Sequence, residues 1–367
     1  MSDAVVYWKW LSKVLGAAAQ NTDAVLEHIE WTPQRAFEQA EGLFEQQIIT
    51  KAQYAHSKTI TLQEIEDELK REEQFGVKVI GLSDEDYPPL LKNISAPPLA
   101  LHVKGGIHHM HSAVCISVVG TRRPSAYGSE AIDFISAKLA EAGVIVISGL
   151  AAGLDSVAHK AAITRDLPTV AVVGGGLDVY YPKANKKLQQ LIEKLGAVVS
   201  EYSLGTPPER HHFLQRNRII AGLAHGLCVA EARKYSGTMS TVRYALEAGR
   251  DVFAVPGSIF SPLSEGTNVL IKEGAYCVTR AEDILATYGI KAQECAEKTE
   301  NNLQNSQLQI SQAAKQVYQY ISREEKSLEE ICKLSAFTTG EVLAALSELE
   351  LEGLVRKVPG QRYTLNI

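Results

Sequence analysis

A chain of 367 residues, 45% hydrophobic and 22% charged, has the composition of an ordinary folded protein with room for one sizeable α/β domain and smaller modules. Its formal net charge of −6 excludes global attraction to a polyanion, so contact with nucleic acid requires a local basic patch on an acidic background. The N-terminal stretch Met1–Trp10 has no basic region followed by an apolar one, and no apolar run reaches the length of a membrane span, which predicts a cytoplasmic protein with no membrane partner.

Residues 1–75 read as a small helical domain of the sterile-alpha-motif or helix-hairpin-helix kind. Val5, Trp8, Leu11, Val14 and Leu15 recur at helical spacing, Pro33 suits a helix start, and Leu62–Glu73 is a charged amphipathic helix. Residues 76–112 carry Pro88, Pro89, Pro97 and Pro98, which disfavour helix and predict an extended connector. Its His108-His109-Met110-His111 run has no neighbouring carboxylate or cysteine, so no specific metal site is expected.

From 113 to 290, apolar runs alternate with helical patterns. Val114–Val119, Val144–Ser148, Thr169–Val173, Ala197–Ser200, Leu227–Ala230 and Val252–Val255 read as strands buried on both faces. Between them, Ser129–Ala142, Asp155–Ile163, Asn185–Leu195, Gln215–Leu223 and Thr238–Ala248 read as helices. This predicts an α/β fold, a doubly wound, mostly parallel Rossmann-like sheet. Cys115, Cys228 and Cys277 fall in apolar runs and the five cysteines are scattered, the pattern of buried thiols and not of a disulfide framework.

Residues 291–307 are polar and read as a linker. Residues 308–367 hold three helical patterns, two of them opened by capping-box spacing at Ser327…Glu330 and Thr338…Glu341, and then two short strands about Pro359-Gly360. Three helices and a hairpin predict a winged-helix domain.

Five segments follow strands of the predicted sheet and converge on one rim. The first is Gly120-Thr121-Arg122-Arg123. A Gly-containing turn between strand and helix presents backbone N–H groups to an anion, and guanidinium forks suit phosphate oxygens. The loop has neither Gly-x-Gly-x-x-Gly nor Gly-x4-Gly-Lys-Ser/Thr, which argues against a dinucleotide or ATP site. The second segment runs from Gly149 to His159. Asp155 with His159 fits either a catalytic pair or, more commonly, a helix cap with a packed histidine. The third, Gly174–Asn185, offers Lys183 to a phosphate and Asn185 as either a helix cap or a ligand contact. The fourth, Arg210–Arg218, sets His212 and Phe213 among cations, the pairing expected of single-strand nucleic-acid sites. Its Arg216, Asn217 and Arg218 are predicted at a helix start, where the dipole favours anions, with an ion pair to Glu231 as the structural alternative for one arginine. The fifth places Ser236, Gly237 and Thr238 at another helix start.

These motifs closely resemble the DNA-processing protein A family (DprA, also called Smf). The resemblance runs through Gly120-Thr-Arg-Arg, Gly149-Leu-Ala-Ala-Gly-Leu-Asp-Ser-Val-Ala-His, Tyr181-Pro-Lys-Ala-Asn, Phe213-Leu-Gln-Arg-Asn-Arg, Ser236-Gly-Thr and Gly266-Thr-Asn-Val-Leu-Ile-Lys-Glu-Gly-Ala. It implies a Rossmann-like domain that binds single-stranded DNA, dimerises and helps load the RecA recombinase onto incoming DNA in natural transformation, with no enzymatic activity, catalytic residue, cofactor or metal. Carried over by position, the DNA site comprises Arg122, Arg123, Lys183, His212, Phe213, Arg216, Asn217 and Arg218. Charge reversal at Arg122 or Arg216 is then expected to weaken binding without unfolding the domain. The alternative, a nucleotide or nucleoside-monophosphate hydrolase of the lysine-decarboxylase-like Rossmann type, requires a Pro-Gly-Gly-x-Gly-Thr-x-x-Glu turn. Pro256-Gly257-Ser258 lacks its second glycine and its glutamate. The last helix of the winged-helix unit carries Glu341, Glu348, Glu350 and Glu352, with Arg356, Lys357 and Arg362 confined to the wing, so a protein-contact or wing-only DNA module is expected there.

Overall fold

The computed structural model describes residues 3–290, 311–321, 326–335, 337–351, 354–358 and 362–365, and the chain divides into two compact units, Met1–Ala292 and Gln293–Ile367. The first unit opens with six helices, α1 (Asp3–Leu15), α2 (Thr22–His28), α3 (Pro33–Glu38), α4 (Ala40–Glu45), α5 (Lys51–Ser57) and α6 (Leu62–Gln74). Then come β1 (Lys78–Gly81), α7 (Pro89–Lys92), β2 (Ala100–Gly105), β3 (Cys115–Val119), α8 (Ala126–Glu141), β4 (Ile145–Ser148), α9 (Leu154–Ile163) and β5 (Thr169–Val172). The unit continues with α10 (Lys186–Leu195), β6 (Ala197–Ser200), α11 (Arg210–Gly222), β7 (Gly226–Val229), α12 (Gly237–Glu247), β8 (Asp251–Ala254), α13 (Glu265–Lys272), β9 (Tyr276–Cys277) and α14 (Ala281–Thr287).

Nine strands form one sheet in the order β1-β2-β6-β5-β4-β3-β7-β8-β9. The strands β3 to β9 run parallel, with Ile116 opposite Val146 and Ile116 opposite Gly226, while β1 and β2 are antiparallel additions beside β6. The 76–112 segment is therefore not a plain connector. Its prolines lie between and beside two strands rather than inside them, so the ladder keeps its donors.

Alternation along β3 shows how the sheet is buried. Cys115 and Val119 join a core that also holds Ile147, Ile219, Leu227 and the N-terminal Trp8 and Trp10, whereas Ile116 and Val118 join Ile132, Leu139 and Val146 on the other face. The N-terminal helices thus share a core with the sheet. Trp8 packs where a side chain on Gly81 would stand 2.5 Å from its ring, and its indole donates to Ser83 Oγ at 2.8 Å. Buried Lys9 and His102 face Glu72. Burial pushes that carboxyl up, but His102 and Lys9 outweigh it and hold it at about 2.

Among the described residues all cysteines are free thiols, and burial raises Cys115 and Cys228 to about 12. No helix among them is long and apolar enough to cross a membrane.

The second unit holds α15 (Gln312–Tyr318), α16 (Leu328–Ser335) and α17 (Thr339–Leu351) with an antiparallel sheet, β10 (Lys326–Ser327), β12 (Arg362–Leu365) and β11 (Val355–Val358). Both capping boxes form: Ser327 N donates to Glu330 at 2.7 Å and Thr338 N to Glu341 at 2.8 Å. Glu348 accepts from Ser311 N at 2.6 Å and so ties α15 to α17. The linker at 291–307 and the Pro359-Gly360 turn lie outside the described residues.

His159 is fully buried and its Nδ1 meets Thr169 Oγ1 at 2.8 Å. Burial, reinforced by the positive charge of Arg216, lowers its pKa from 6.5 to about 3. The folded state therefore refuses a proton that the unfolded chain accepts below pH 6.5, and stability present above that pH is lost as pH falls toward 3. Between pH 6.5 and 5 this one group is expected to remove about 2 kcal/mol at ~1.4 kcal/mol per unit. Urea denaturation at both pH values, compared with the His159→Gln variant, checks this: the wild type loses more stability than the variant, and equal losses would contradict it.

Candidate nucleic-acid interface

The strand order reverses between β3 and β7, whose following connections leave in opposite directions across the sheet. At such a switch point the carboxyl ends of the strands open a crevice. A cleft of about 290 Å³ lies there, bordered by Gly120, Thr121 and Arg122 after β3, Arg233 and Ser236 after β7, Gly237 and Thr238 at the start of α12, and Phe213, Arg216 and Asn217 from α11. Segments far apart in sequence thus meet at one site.

The β3 loop is held from below. Thr121 N donates to Glu231 O at 2.8 Å, and Ser125 caps α8 while its own N donates to Glu231 Oε2 at 2.9 Å. The carboxylate of Glu231 therefore supports the loop and pairs with no arginine among the described residues. Arg122 and Arg123 are left exposed. Gly120 is required for packing, since a Cβ there would stand 2.4 Å from Leu154.

Arg216 takes a different role from the one its motif suggested. Helix α11 begins at Arg210, so Arg216–Arg218 lie well inside it and away from its dipole end. Arg216 is 3% exposed, and Nη1 donates to Gly149 O at 2.7 Å and to Val172 O, the carbonyls beyond β4 and at the end of β5. Burial lowers its pKa to about 10, with Asp155 pulling it back up and Arg122 adding to the fall. Burial likewise raises Asp155, against the pull of Arg216 and N–H groups from the Gly149–Ala151 loop. A Cβ on Gly149 would stand 2.1 Å from Nη1, so the close approach that this glycine serves is to the arginine.

Four other expected contacts are also used by the fold. Arg218 is buried in an ion pair with Glu201. His212 is buried, with Nδ1 3.1 Å from Pro207 O and its ring 4.1 Å from that of Tyr202. Asn185 neither caps α10 nor faces the cleft; its Nδ2 donates to Leu150 O and Ser156 Oγ, both at 2.8 Å. Asn217 borders the cleft but spends its amide on Ser240 Oγ at 2.9 Å, which joins α11 to α12.

What remains turned outward is a stacking face among cations. Phe213 lies one turn before Arg216, with the Arg122 guanidinium 5.5 Å and the Arg216 guanidinium 6.0 Å from its ring centre. Tyr181, half exposed, tilts against it at 5.2 Å. The sequence reading did not name Tyr181 as a contact, although an aromatic two positions before Lys183 is the signal for one. Lys183 is exposed on the same β5 connection, outside the cleft. Across the cleft, Ser236 precedes α12 without capping it, and its Oγ is buried with no partner among the described residues. Free N–H groups at that helix start and an unused hydroxyl suit an anion.

This division predicts opposite behaviour for two neighbouring arginines. Arg216→Ala is expected to cost about 3–5 kcal/mol of stability, because it strands Asp155 and two carbonyls in the interior. Arg122→Ala is expected to change stability by less than about 0.5 kcal/mol. Chemical denaturation of both variants checks this; equal tolerance of the two substitutions would contradict it.

Comparisons with known proteins show the family and the fold. The family model for DNA recombination-mediator protein A matches residues 78–289, and that for the DprA winged helix domain matches 303–361. Protein Smf of Synechocystis is 32% identical over 97% of this chain and 98% of its own length, and Protein Smf of Escherichia coli is 39% identical over 81% and 79%. DNA processing protein A of Streptococcus pneumoniae superposes with a TM-score of 0.69 at 36% identity, over 78% of this chain and 98% of that one. The Helicobacter pylori protein, described for its mode of binding single-stranded DNA, gives 0.53 at 28% identity, over 58% and 95%. With the Rossmann-like sheet and the winged helix both matched, the chain belongs to the DNA recombination-mediator protein A family, also known as DprA or Smf.

Proposed function

We propose that the chain binds single-stranded DNA along the carboxyl rim of its parallel sheet and, as a recombination mediator, loads RecA onto DNA entering the cell in natural transformation. The observation that carries the DNA reading is Phe213, a ring with the Arg122 and Arg216 guanidinium groups 5.5 and 6.0 Å from its centre, beside exposed Tyr181. Aromatic faces accept any base and flanking cations take the phosphates, so binding of this kind tolerates sequence and responds steeply to salt. In this reading the ligand-facing groups are Gly120, Thr121, Arg122, Arg123, Lys183, Phe213 and the Ser236-Gly237-Thr238 helix start, while Arg216, Arg218, His212, Asn185 and Asn217 shape the surface.

The RecA role rests on family membership, and so does pairing with a second copy through the Rossmann-like domain. The two-residue edge strand β9, with Tyr276 and Cys277 exposed, supports a contact on that side, since an open edge invites a partner. The winged helix spends Glu330, Glu341 and Glu348 on its own caps and helix ties, leaving an acidic third helix poorly suited to a groove.

Titration of a fluorescent oligothymidylate across salt concentrations tests the reading. Wild-type log K falls linearly with log salt, and Arg122→Gln lowers the slope by about 0.7, the share of one phosphate on a single strand. An unchanged slope would count against the site. Removal of residues 308–367 is expected to leave most single-strand affinity in place; its collapse in a folded truncation would move the site to the winged helix.

A further inference from the structure

Beyond β7 and β8 the same rim carries further exposed side chains, of which only Arg233 also borders the cleft. The β7 connection presents Arg233, Lys234 and Tyr235, all exposed, with Tyr235 at 90% and the Lys234 amine 5.7 Å from its ring centre. The β8 connection presents Ile259 at 84% and Phe260 at 89% exposure. Single exposed apolar residues need no explanation, but large ones grouped on one rim beside a cleft do.

These side chains are held out by ordered turns. Ala232 N donates to Leu263 O and Gly266 N to Ala232 O, each at 2.8 Å, which locks the two connections together. Phe260 sits in a turn closed by Ser261 N to Ser258 O at 3.0 Å, and Asn268 binds both backbone groups of Gly257. Tyr127, next to the Arg122-Arg123 loop, donates its hydroxyl to Pro256 O at 2.6 Å. The β8 connection is thus anchored to the start of the helix that follows the arginine loop.

Their order along the rim follows the strand order β5-β4-β3-β7-β8. Tyr181 and Lys183 stand at β5, Arg122 and Arg123 at β3, Arg233 to Tyr235 at β7, and Phe260 at β8. Four strand intervals of about 4.8 Å make roughly 19 Å, more than the cleft alone occupies. Cations of the β5, β3 and β7 connections lie between aromatic groups at the two ends of this line, the arrangement of a single-strand track and not of an interface core, which is depleted in lysine.

We infer that Tyr235 and Phe260 form a second stacking platform, with Arg233 and Lys234 as its phosphate contacts, which carries the DNA strand out of the cleft across β7 and β8. This rests on the reading of the cleft as a single-strand site. Both rings are almost fully exposed, so their loss leaves the fold intact.

The test uses the full-length chain with Tyr235→Ala/Phe260→Ala, the aromatic-retaining Tyr235→Trp/Phe260→Trp, and Arg122→Glu. Each is titrated with oligothymidylates of about four and about twenty nucleotides, and its mass is followed by sedimentation equilibrium. The double alanine variant is expected to lose about tenfold or more in affinity for the long strand while the short one changes less than about twofold. The tryptophan pair restores the loss, and Arg122→Glu weakens both lengths. Unaltered long-strand affinity in the alanine variant, with Arg122→Glu weakened, overturns the platform and leaves the cleft reading standing. Equal loss on both lengths overturns it as well, since it makes the patch part of the cleft. A changed mass with unaltered DNA affinity assigns the patch to a protein contact. No effect of Arg122→Glu on either length removes the cleft reading, and the platform falls with it.

Discussion

The buried guanidinium of Arg216 is the constraint on which the site depends. It bridges carbonyls at the ends of β4 and β5 and faces Asp155. Desolvation works against both charges, as the lowered arginine and raised aspartate pKa values record. Two buried charges of this kind are held at a cost in stability and fix position: removing Arg216 leaves Asp155 and both carbonyls uncompensated. Gly149 has no side chain because the guanidinium passes where one would be. The loop beyond β4 is bound to Asp155 through Ala151 N at 3.3 Å, and Asn185 binds that same loop from the β5 side.

From this anchor the outward face follows. Phe213 is one helical turn from Arg216, so fixing the arginine fixes the ring. Arg122 then reaches over the ring from a loop that Glu231 supports. The rim therefore separates its cations into two kinds. Arg216 and Arg218 are consumed in the interior, whereas Arg122, Arg123, Lys183, Arg233 and Lys234 remain in water, where a phosphate can displace it. Burial, more than residue type, decides which arginine is open to a ligand.

The parallel sheet was legible because strands buried on both faces leave uninterrupted apolar runs such as Val144–Ile147, and the intervening helices keep a 3.6-residue period. The winged helix was legible from its capping boxes, which formed as spaced. The strands β1 and β2 were not, because nearby prolines dominate the local pattern and pairing with β6 is a long-range event. The start of α11 was also hidden. The sequence reading begins this helix at Gln215, whereas a capping box between Glu209 and His212 starts it at Arg210. Nothing in the local text separates Arg216 and Arg218 from Arg122, since their partners Asp155 and Glu201 are distant in sequence. Convergence of the loops could be read from strand order; the division of labour among their side chains required the fold.

The central claim is that the strand lies across the rim and stacks on Phe213. Photocrosslinking of an oligothymidylate carrying 4-thiothymidine, followed by identification of the modified residues, tests it most directly. Adducts are expected at Phe213 and Tyr181 and in the peptides bearing Arg122 and Tyr235. Adducts confined to the winged helix or to the N-terminal helices, with none on the rim, would contradict it.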